Sequence, residues 1–312
     1  MASMPRDGIF LIVSASAGYA FLPTLVRFIY ASSTFEPTDL AIWRFIFAIP
    51  IIWIALGLLR RREGASAPPM GVPVWKPLAL GLLYATGVWT AFTGLERIPA
   101  SVFVVLFYSY PAMVALLSAL TGVRLGGLAW LALGMTLLGV VLTVPDLFSN
   151  MNRLDGLGVL LALGNAFSVA IYFLLSKRAL RRARDMRLTA AWQITGCGLS
   201  IFAIIPWVGL QMPENPATWL ALLALSSIST AYPLFALNAG IQKIGAANAS
   251  IMSSLEPVLG MVLAAVFLAE LILPVQWLGA GLIVSAVILL ALPSLALKRQ
   301  NAYPSTTEHS LS

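Results

Sequence analysis

Glu256 is the residue whose setting in this chain most directly suggests chemistry. It stands beside Pro257 inside a long apolar segment, and no Lys or Arg lies within ten residues of it. A carboxylate at membrane depth is costly, and such residues by default mark function. Two functional roles follow, a proton-coupling site or a binding group for a substrate ammonium. The alternative is a structural carboxyl that is hydrogen-bonded to a broken helix or to a neighbouring Asn.

Aromatic, amide and hydroxyl side chains in the other apolar segments predict the walls of a cavity. Lipid offers no partner to Asn or Ser, so these residues are expected to face inward, and deep Tyr and Trp side chains favour an aromatic cavity. Asn248, Met252 and Glu256 share one helix face by their i, i+4, i+8 spacing. Helix-to-helix hydrogen bonds are the alternative role for the amides. The predicted substrate-binding residues are Tyr19, Tyr84, Trp89, Tyr108, Asn165, Ser168, Tyr232, Asn238, Asn248, Met252 and Glu256.

Two prolines and one arginine are further candidates for coupling or hinge motion. Pro111 follows Tyr110 and Pro257 follows Glu256. Proline removes a backbone donor and disturbs the turn before it, which predicts a kink that is either a gating hinge or a static bend. Arg44 lies near one end of the second apolar segment, where it can meet a substrate carboxylate. An ion pair with a nearby acid, or snorkelling to the headgroups, is the alternative role for this arginine.

The composition is that of a membrane protein. Of 312 residues, 60% are hydrophobic and 10% are charged, and the mean hydropathy is +0.91, whereas soluble domains carry about 25% charged residues. A helix needs about 20 mostly apolar residues to cross the hydrocarbon core, and ten such segments follow one another with short connections. The predicted membrane helices are 8–30, 38–59, 74–95, 99–121, 125–144, 157–176, 188–210, 216–240, 245–268 and 273–293.

The basic residues predict the orientation of these helices. Cytoplasmic loops of membrane proteins carry an excess of Lys and Arg. With a cytoplasmic N-terminus, the cluster Arg60–Arg62 and the run Lys177–Arg187 lie inside, and only Arg97 and Arg153 lie outside, apart from two arginines within helices. Both termini are therefore predicted to be cytoplasmic, and we expect a multi-pass protein of a bacterial inner (plasma) membrane.

The two halves of the chain resemble each other. The segment Gly94–Ala100 lies 146 positions before Gly240–Ala246, and the same offset places Pro111 on Pro257. After a one-residue insertion, Trp130–Leu131 falls on Trp277–Leu278, and earlier in each half, at slightly larger offsets, Trp43–Arg44 can be laid on Trp192–Gln193 and Leu25–Arg27 on Leu175–Lys177. Each half contains five predicted helices, and an odd number of crossings inverts the second half relative to the first. Inverted repeats of this kind are a transporter architecture.

The predicted fold class is thus an all-α membrane protein with ten transmembrane helices in two inverted five-helix repeats. The predicted domains are the first repeat (1–150), the second repeat (151–298) and a disordered cytoplasmic tail (299–312). Short connections leave no room for a soluble domain.

Several classes of function lack the residues they would need. Cys197 and His309 are the single Cys and the single His of the chain, which excludes a disulfide and argues against a metal site. No G-x-x-x-x-G-K-[ST] sequence is present, so ATP is not expected to drive the protein directly. A membrane enzyme would need paired carboxylates or a nucleophile with a base. We therefore expect no enzyme activity, no cofactor, no metal and no nucleic-acid partner.

Several segments match the pattern of a known group of sequences: Ala41–Phe45, Gly94–Ser101 with Tyr110–Pro111, Glu256–Pro257, Leu268–Glu270 and Gln276–Gly279. Through them the chain resembles the drug/metabolite transporter superfamily, in its ten-helix EamA-type branch. Within that branch it is most similar to bacterial exporters of aromatic and other neutral amino acids. The resemblance implies a central cavity between the repeats and export as the direction of transport. The charged residue that the family often carries early in its second helix matches Arg44.

The sequence therefore predicts a secondary transporter that exports amino acids, aromatic or other large neutral ones such as Phe, Met and Thr. Alternating access through a central, aromatic-lined cavity is the expected mechanism. Expected partners are an amino acid or similar metabolite and the lipid bilayer, in a monomer. The alternative is a multidrug, cation or other metabolite transporter of the same superfamily, although the glutamate that small relatives use in their first helix has no counterpart in helices one and six. A channel or an uncoupled facilitator is a further alternative.

Overall fold

Helices make up nearly all of the chain that the computed structural model describes, which is residues 5–64, 67–123, 125–144, 155–269 and 271–300. Those ranges contain no β-strand. Backbone groups in lipid must be satisfied within their own segment, and apolar helices meet that condition. The helices are α1 (Arg6–Ser32), α2 (Pro37–Glu63), α3 (Trp75–Leu95), α4 (Ala100–Phe107), α5 (Tyr110–Leu120), α6 (Gly127–Thr143), α7 (Gly156–Ala179), α8 (Met186–Phe202), α9 (Ile205–Val208), α10 (Pro216–Ser226), α11 (Tyr232–Ile244), α12 (Ala246–Ser253), α13 (Glu256–Leu268) and α14 (Pro274–Gln300). A π-helical segment, Ser227–Ala231, joins α10 to α11.

All ten predicted apolar segments are helical. Within the described ranges, nine stretches are long and apolar enough to cross a membrane, and α6 is a shorter apolar helix of 17 residues. Four of the nine contain a break or a change of helix type: α4 with α5, α8 with α9, α10 with α11, and α12 with α13. The predicted all-helical membrane fold is therefore confirmed. Residues 301–312 of the predicted tail lie outside the described part of the chain.

Two crossings break where their prolines predict a kink. The break between α4 and α5 falls at residues 108–109, and the break between α12 and α13 falls at 254–255. Pro111 and Pro257 have no N–H to bond the carbonyl four residues earlier, which belongs to the last residue of α4 and of α12, respectively. The two breaks are 146 positions apart, which is the offset of the sequence repeat. A hinge role for these prolines stays a prediction.

The helices of the two halves pack in equivalent pairs. Helix α1 of the first half packs against α11 and α13 of the second half. Its counterpart α7, in the second half, packs against α3 and α5 of the first half. The last helices of the halves, α6 and α14, pack along each other. At their closest approach a Cβ on Gly279 would lie 2.5 Å from the carbonyl oxygen of Gly139, so glycine is required at this contact. Each of these contacts joins a helix of the first half to a helix of the second half, and the equivalent pairs agree with the internal repeat.

Two ion pairs show the inversion of one repeat relative to the other. Asp7 at the start of α1 pairs with Lys243 at the end of α11. Asp155 at the start of α7 pairs with Arg97 just after α3. Each pair joins the start of the first helix of one repeat to the end of the third crossing of the other repeat. The assignment of either end to the cytoplasm stays a prediction.

Candidate functional site

Two cavities meet inside the bundle, and Arg44 is part of the wall of both. The rim cavity has a volume of about 440 Å³, and its lining includes Tyr30 and Glu96. The inner cavity has a volume of about 300 Å³, and its lining includes Tyr84 and Asn165. Both volumes lie in the range of small-molecule sites, which are mostly apolar with a few placed polar groups.

The rim cavity opens at the end of the bundle where α1 and α3 end and where α2 and α4 begin. The residues of its wall at that end are exposed: Tyr30, Pro37, Leu95, Glu96 and Ala100. A small molecule can therefore approach Arg44 from this side. We refer to this end as the rim.

Ion pairs between the end of α2 and the start of α8 close the opposite end. Asp185, whose side chain is 1% exposed, lies 3.2 Å from both Arg60 and Arg187. Its carboxylate also accepts the backbone N–H groups of Arg187 and Leu188 at 3.0 and 3.2 Å, so it caps α8. Arg187 in turn donates to both oxygens of Glu63, at 2.7 and 3.0 Å. We refer to this end as the ion-paired end.

The start of α2 determines where Arg44 lies. The Glu36 N–H donates to the Asp39 carboxylate at 3.1 Å in a capping box that begins the helix, which places Arg44 about two turns further along. The guanidinium then reaches the segment between α10 and α11. Its Nε donates to Thr230 Oγ1 at 2.6 Å, and its Nη2 donates to the Ser229 carbonyl at 3.1 Å. The hydrogen bonds of Arg44 are thus made across the repeats and not with the nearby acids.

Aromatic rings and amides form the wall of the inner cavity. The rings of Tyr84 and Tyr172 meet edge to face, with centroids 5.8 Å apart. Asn165 donates to the Gly87 carbonyl at 3.0 Å, so it both joins two helices and lines the cavity, and Ser168 lies in the same wall. Tyr84, Asn165 and Ser168 were predicted from the sequence. Tyr172 was not in the predicted set, although an aromatic residue inside the sixth segment could have indicated it.

A buried hydrogen-bond network, formed by Tyr172, Ser176, Gln193 and Asn238, lies between the inner cavity and the ion-paired end. The Tyr172 hydroxyl is 3.0 Å from Asn238 Oδ1 and 3.2 Å from Gln193 Oε1. Ser176 Oγ is 2.5 Å from the same Asn238 oxygen, and Asn238 Nδ2 donates to Gln193 Oε1 at 2.7 Å. We call this set the floor network, because it closes the cavity between α7, α8 and α11. Asn238, a predicted substrate-binding residue, lies here and in neither cavity wall.

Two buried donors near the inner cavity keep unused hydrogen-bonding capacity. The Tyr19 hydroxyl and Gln193 Nε2 make no hydrogen bond of good geometry within the described part of the chain. The Tyr19 hydroxyl interacts with the Tyr84 hydroxyl and lies within electrostatic range of Tyr172 and Arg44. An unpaired buried polar group costs about 1–3 kcal/mol. Neither Tyr19 nor Gln193 belongs to the described lining of the two cavities.

Glu256 is the first residue of α13, directly after the helix break. It interacts with Tyr108 and lies within electrostatic range of Arg44, but it is in neither cavity wall. Ring contacts run from Tyr108 to Tyr110 at 6.0 Å and from Tyr110 to Phe173 at 5.7 Å between centroids. Phe173 in turn contacts Tyr172, with centroids 6.4 Å apart, and Tyr172 lines the inner cavity, so this row of rings runs from the partner of Glu256 to the cavity wall. The roles considered for Glu256 stay predictions.

Six other predicted residues lie outside both cavity walls, namely Tyr19, Tyr108 and four further residues. Met252 is 0% exposed in the core, Asn248 donates to the Ile244 carbonyl of the preceding turn at 3.1 Å, and Trp89 packs against the core. Tyr232 is 44% exposed. The break at 254–255 ends α12, so the common helix face expected for Asn248, Met252 and the glutamate after the break does not continue through it.

Sequence reasoning missed the two residues that hold Arg44. Ser229 and Thr230 are small polar residues of a kind common in membrane helices, and nothing in their spacing sets them apart. The only local signal is Pro233, which follows Ser229 by four positions and cannot donate a hydrogen bond to the Ser229 carbonyl.

Comparison with known proteins agrees with this architecture. The EamA-like transporter family matches the chain twice, over residues 6–144 and 156–292. An uncharacterized transporter of Synechocystis sp. is 25% identical over 97% of both chains. The threonine/homoserine exporter RhtA of Escherichia coli (strain K12) is 28% identical over 62% of this chain and 63% of its own length. A crystal structure with 20% sequence identity superposes with a TM-score of 0.76 over 94% of this chain and 99% of that one, which shows that the fold is shared. Since the two matches account for most of the sequence, the protein is a member of the EamA-like transporter family.

Proposed function

We propose that the protein exports amino acids, aromatic or other large neutral ones, across a bacterial inner membrane by alternating access. The observation that carries this proposal is the inner cavity, in which one guanidinium, that of Arg44, stands in a wall of aromatic and apolar side chains. No carboxylate belongs to the described lining of that cavity. Such a site suits a molecule that has one carboxylate and a sizeable apolar part.

Each part of an amino acid has a matching group in the inner cavity. The carboxylate binds the Arg44 guanidinium, a pairing that gives short, charge-assisted hydrogen bonds. The side chain lies against Tyr84 and Tyr172, and the Asn165 and Ser168 oxygens are available to the ammonium group. The name of the relative RhtA, a threonine/homoserine exporter, supports amino acids as the substrate class.

A cationic drug fits this cavity less well. Two like unit charges 4 Å apart repel each other by about 4 kcal/mol at an effective dielectric constant of 20. A monovalent cation in the inner cavity would experience this repulsion from Arg44 without a carboxylate in the wall to offset it. The inner cavity therefore favours a zwitterion or an anion over a cation.

The arrangement of open and closed ends supports alternating access. The rim is open, whereas the floor network and the ion pairs close the opposite end, which the positive-inside rule assigns to the cytoplasm. On that assignment this is an outward-open state, from which an exporter has released its substrate. Uptake from the cytoplasm then requires the ion pairs and the floor network to separate while the rim closes.

Counterflow in liposomes tests the proposal. Purified protein is reconstituted with unlabelled amino acids inside, and entry of labelled Phe, Met and Thr is measured for the parent, Arg44→Gln and the control Arg97→Gln. We expect saturable counterflow in the parent and in the control, whose arginine lies in an exposed ion pair. In Arg44→Gln, loss of about 2 kcal/mol of carboxylate binding should raise KM about thirtyfold. Absence of counterflow for all three amino acids, in vesicles that contain folded parent protein, would refute the proposed substrate class.

A further inference from the structure

The π-helical segment Ser227–Ala231 creates the docking site for the Arg44 guanidinium. A π-helical turn inside an α-helix is rare and frequently occurs at functional sites. Pro233 cannot donate a hydrogen bond to the Ser229 carbonyl, so this carbonyl is available to Arg44 Nη2 at 3.1 Å. The Thr230 hydroxyl lies 2.9 Å from the Leu225 carbonyl, to which it donates, and it accepts from Arg44 Nε at 2.6 Å.

The residues that contact Arg44 are buried. Ser226 and Ser229 are 0% exposed and Thr230 is 3% exposed. Ser226, the residue before the π-helical segment, shares its Oγ proton between the Leu222 carbonyl of its own helix at 2.7 Å and the Arg44 backbone carbonyl at 2.9 Å. The end of α10 thus contacts α2 at the backbone of Arg44, and the π-helical segment contacts it at the guanidinium.

The described hydrogen bonds to Thr230 and Ser229 use one edge of the planar guanidinium group of Arg44 and leave another edge for a ligand. Arginine has five N–H donors, and the described contacts use the single donor on Nε and one donor on Nη2. Both donors on Nη1 and the second donor on Nη2 are left, and one donor of each nitrogen lies on the edge of the guanidinium that can bind a carboxylate in a bidentate manner. Arg44 is part of both cavity walls.

We propose that Thr230 and the Ser229 carbonyl are positioning groups that orient Arg44 for a ligand carboxylate and thereby restrict the transporter to carboxylate-bearing substrates. This inference rests on the proposed function, because it assigns how the same cavity selects its substrate. Thr230 orients the donors and does not itself touch the ligand. Its hydroxyl is the element that a substitution can remove, because the Ser229 acceptor belongs to the backbone.

Three variants separate positioning from a purely structural tie between the helices. Thr230→Val removes the acceptor at nearly constant shape, Thr230→Ser keeps it, and Ser226→Ala removes the neighbouring tie to α2 without touching the guanidinium. We expect Thr230→Val to raise KM for counterflow of phenylalanine about tenfold, equivalent to about 1.4 kcal/mol. Inhibition by the carboxamide of phenylalanine should change less than twofold, and Thr230→Ser and Ser226→Ala should behave like the parent.

A second readout does not depend on transport. Phenylglyoxal modifies exposed arginines, and mass spectrometry of the Arg44 peptide gives the rate, with the exposed Arg97 as an internal reference. We expect Thr230→Val to increase the rate at Arg44 at least threefold, and Thr230→Ser to leave it unchanged. If the parent transports no amino acid, the proposed function fails, and this rate still decides whether Thr230 positions Arg44.

Two results would overturn the inference. If Thr230→Val and Ser226→Ala change KM for phenylalanine and the modification rate of Arg44 equally, the contacts of this region with α2 have only a structural role. If Thr230→Val changes the rate of Arg44 modification but weakens binding of phenylalanine and of its carboxamide equally, Thr230 positions Arg44 without selecting for a carboxylate.

Discussion

Asp185→Asn should weaken the closure of the ion-paired end. The Asp185 side chain is 1% exposed, interacts with Arg60 and Arg187, and also caps α8. Asn is isosteric with Asp and is an equally good N-cap, so the helix start should be kept and only the charge lost. The change therefore acts on the contact between the end of α2 and the start of α8.

The free-energy cost of losing these ion pairs follows from the exposure of the Arg60 and Arg187 side chains. Breaking a fully buried ion pair costs about 3–5 kcal/mol. The Arg60 and Arg187 side chains are 32% and 28% exposed, and water therefore screens much of this cost, as it does for surface pairs. We expect about 1–2 kcal/mol, which changes the population open at this end by a factor of about 5–30.

The single cysteine of the chain provides the assay. Cys197 is 1% exposed and lies on α8, one turn beyond Gln193 of the floor network. A membrane-impermeant maleimide applied from the ion-paired side should label it only when this end opens. While the open population is small, the labelling rate is proportional to that population, so Asp185→Asn should raise the rate about 5–30-fold.

Asp155→Asn is the matched control for this experiment. Asp155 also caps a helix and also pairs with an arginine, Arg97, but the two side chains are 43% and 44% exposed and lie at the rim. The control should leave labelling of Cys197 within twofold of the parent. Unchanged labelling in a folded Asp185→Asn variant would refute the assignment of these ion pairs as a closure.

Three further outcomes are expected. Gly279→Ala would place a Cβ about 0.9 Å inside ordinary contact distance of the α6 backbone. It should therefore lower the free energy of unfolding, measured by thermal unfolding, by about 1–3 kcal/mol. The control Gly281→Ala meets open space and should be neutral. Glu256→Gln should abolish accumulation driven by a pH gradient while counterflow continues, if proton coupling is its role; an equal gradient response in variant and parent would leave it structural. Pro111→Ala and Pro257→Ala should each slow counterflow several-fold with KM unchanged, and equal rates would mark the breaks as static.

The fold could be predicted because each of its signals is local in the sequence. Apolar length sets the membrane crossings, and the described helices fall on all ten predicted segments. Pro111 and Pro257 predict the helix breaks, because proline has no N–H and the carbonyl four residues earlier therefore loses its helical hydrogen bond. The repeat was visible because turn residues and prolines recur at a fixed offset.

The site could be predicted only in part, because residue type does not fix the rotation of a helix about its axis. Asn165 and Tyr84 were found because polar groups avoid lipid and rings favour cavities. Met252 and Tyr232 met similar criteria, but one is buried in the core and the other is exposed. Thr230 was missed because its role depends on a π-helical register that brings it to an arginine 186 positions away, and such a contact has no local signature.

The repeat also indicates how the rim would close. At the ion-paired end, Lys177 donates to the Gln242 carbonyl, and the Gln242 side chain donates to the Ser176 carbonyl at 2.8 Å. The sequence alignment of the halves places Arg27 on Lys177 and Glu96 on Gln242. Alternating access in an inverted repeat moves one repeat against the other, so a contact that closes one end predicts an equivalent contact that closes the other. Arg27 and Glu96 should therefore approach each other in the state that opens to the ion-paired end.

Cysteine cross-linking tests this counterpart contact. In a background without the native cysteine, the pair Arg27→Cys with Glu96→Cys should cross-link slowly, in proportion to the rim-closed population, and should stop counterflow until a reductant is added. The pair that replaces Lys177 and Gln242 should cross-link rapidly, because the structure already brings these residues together. Adding Asp185→Asn should increase the cross-linking rate of the rim pair about 5–30-fold and decrease that of the other pair. Both rates depend on the same equilibrium between the rim-open and rim-closed states. If the rim pair never cross-links, or if the added substitution changes the two rates in the same direction, the two ends are not coupled in the way that the repeat predicts.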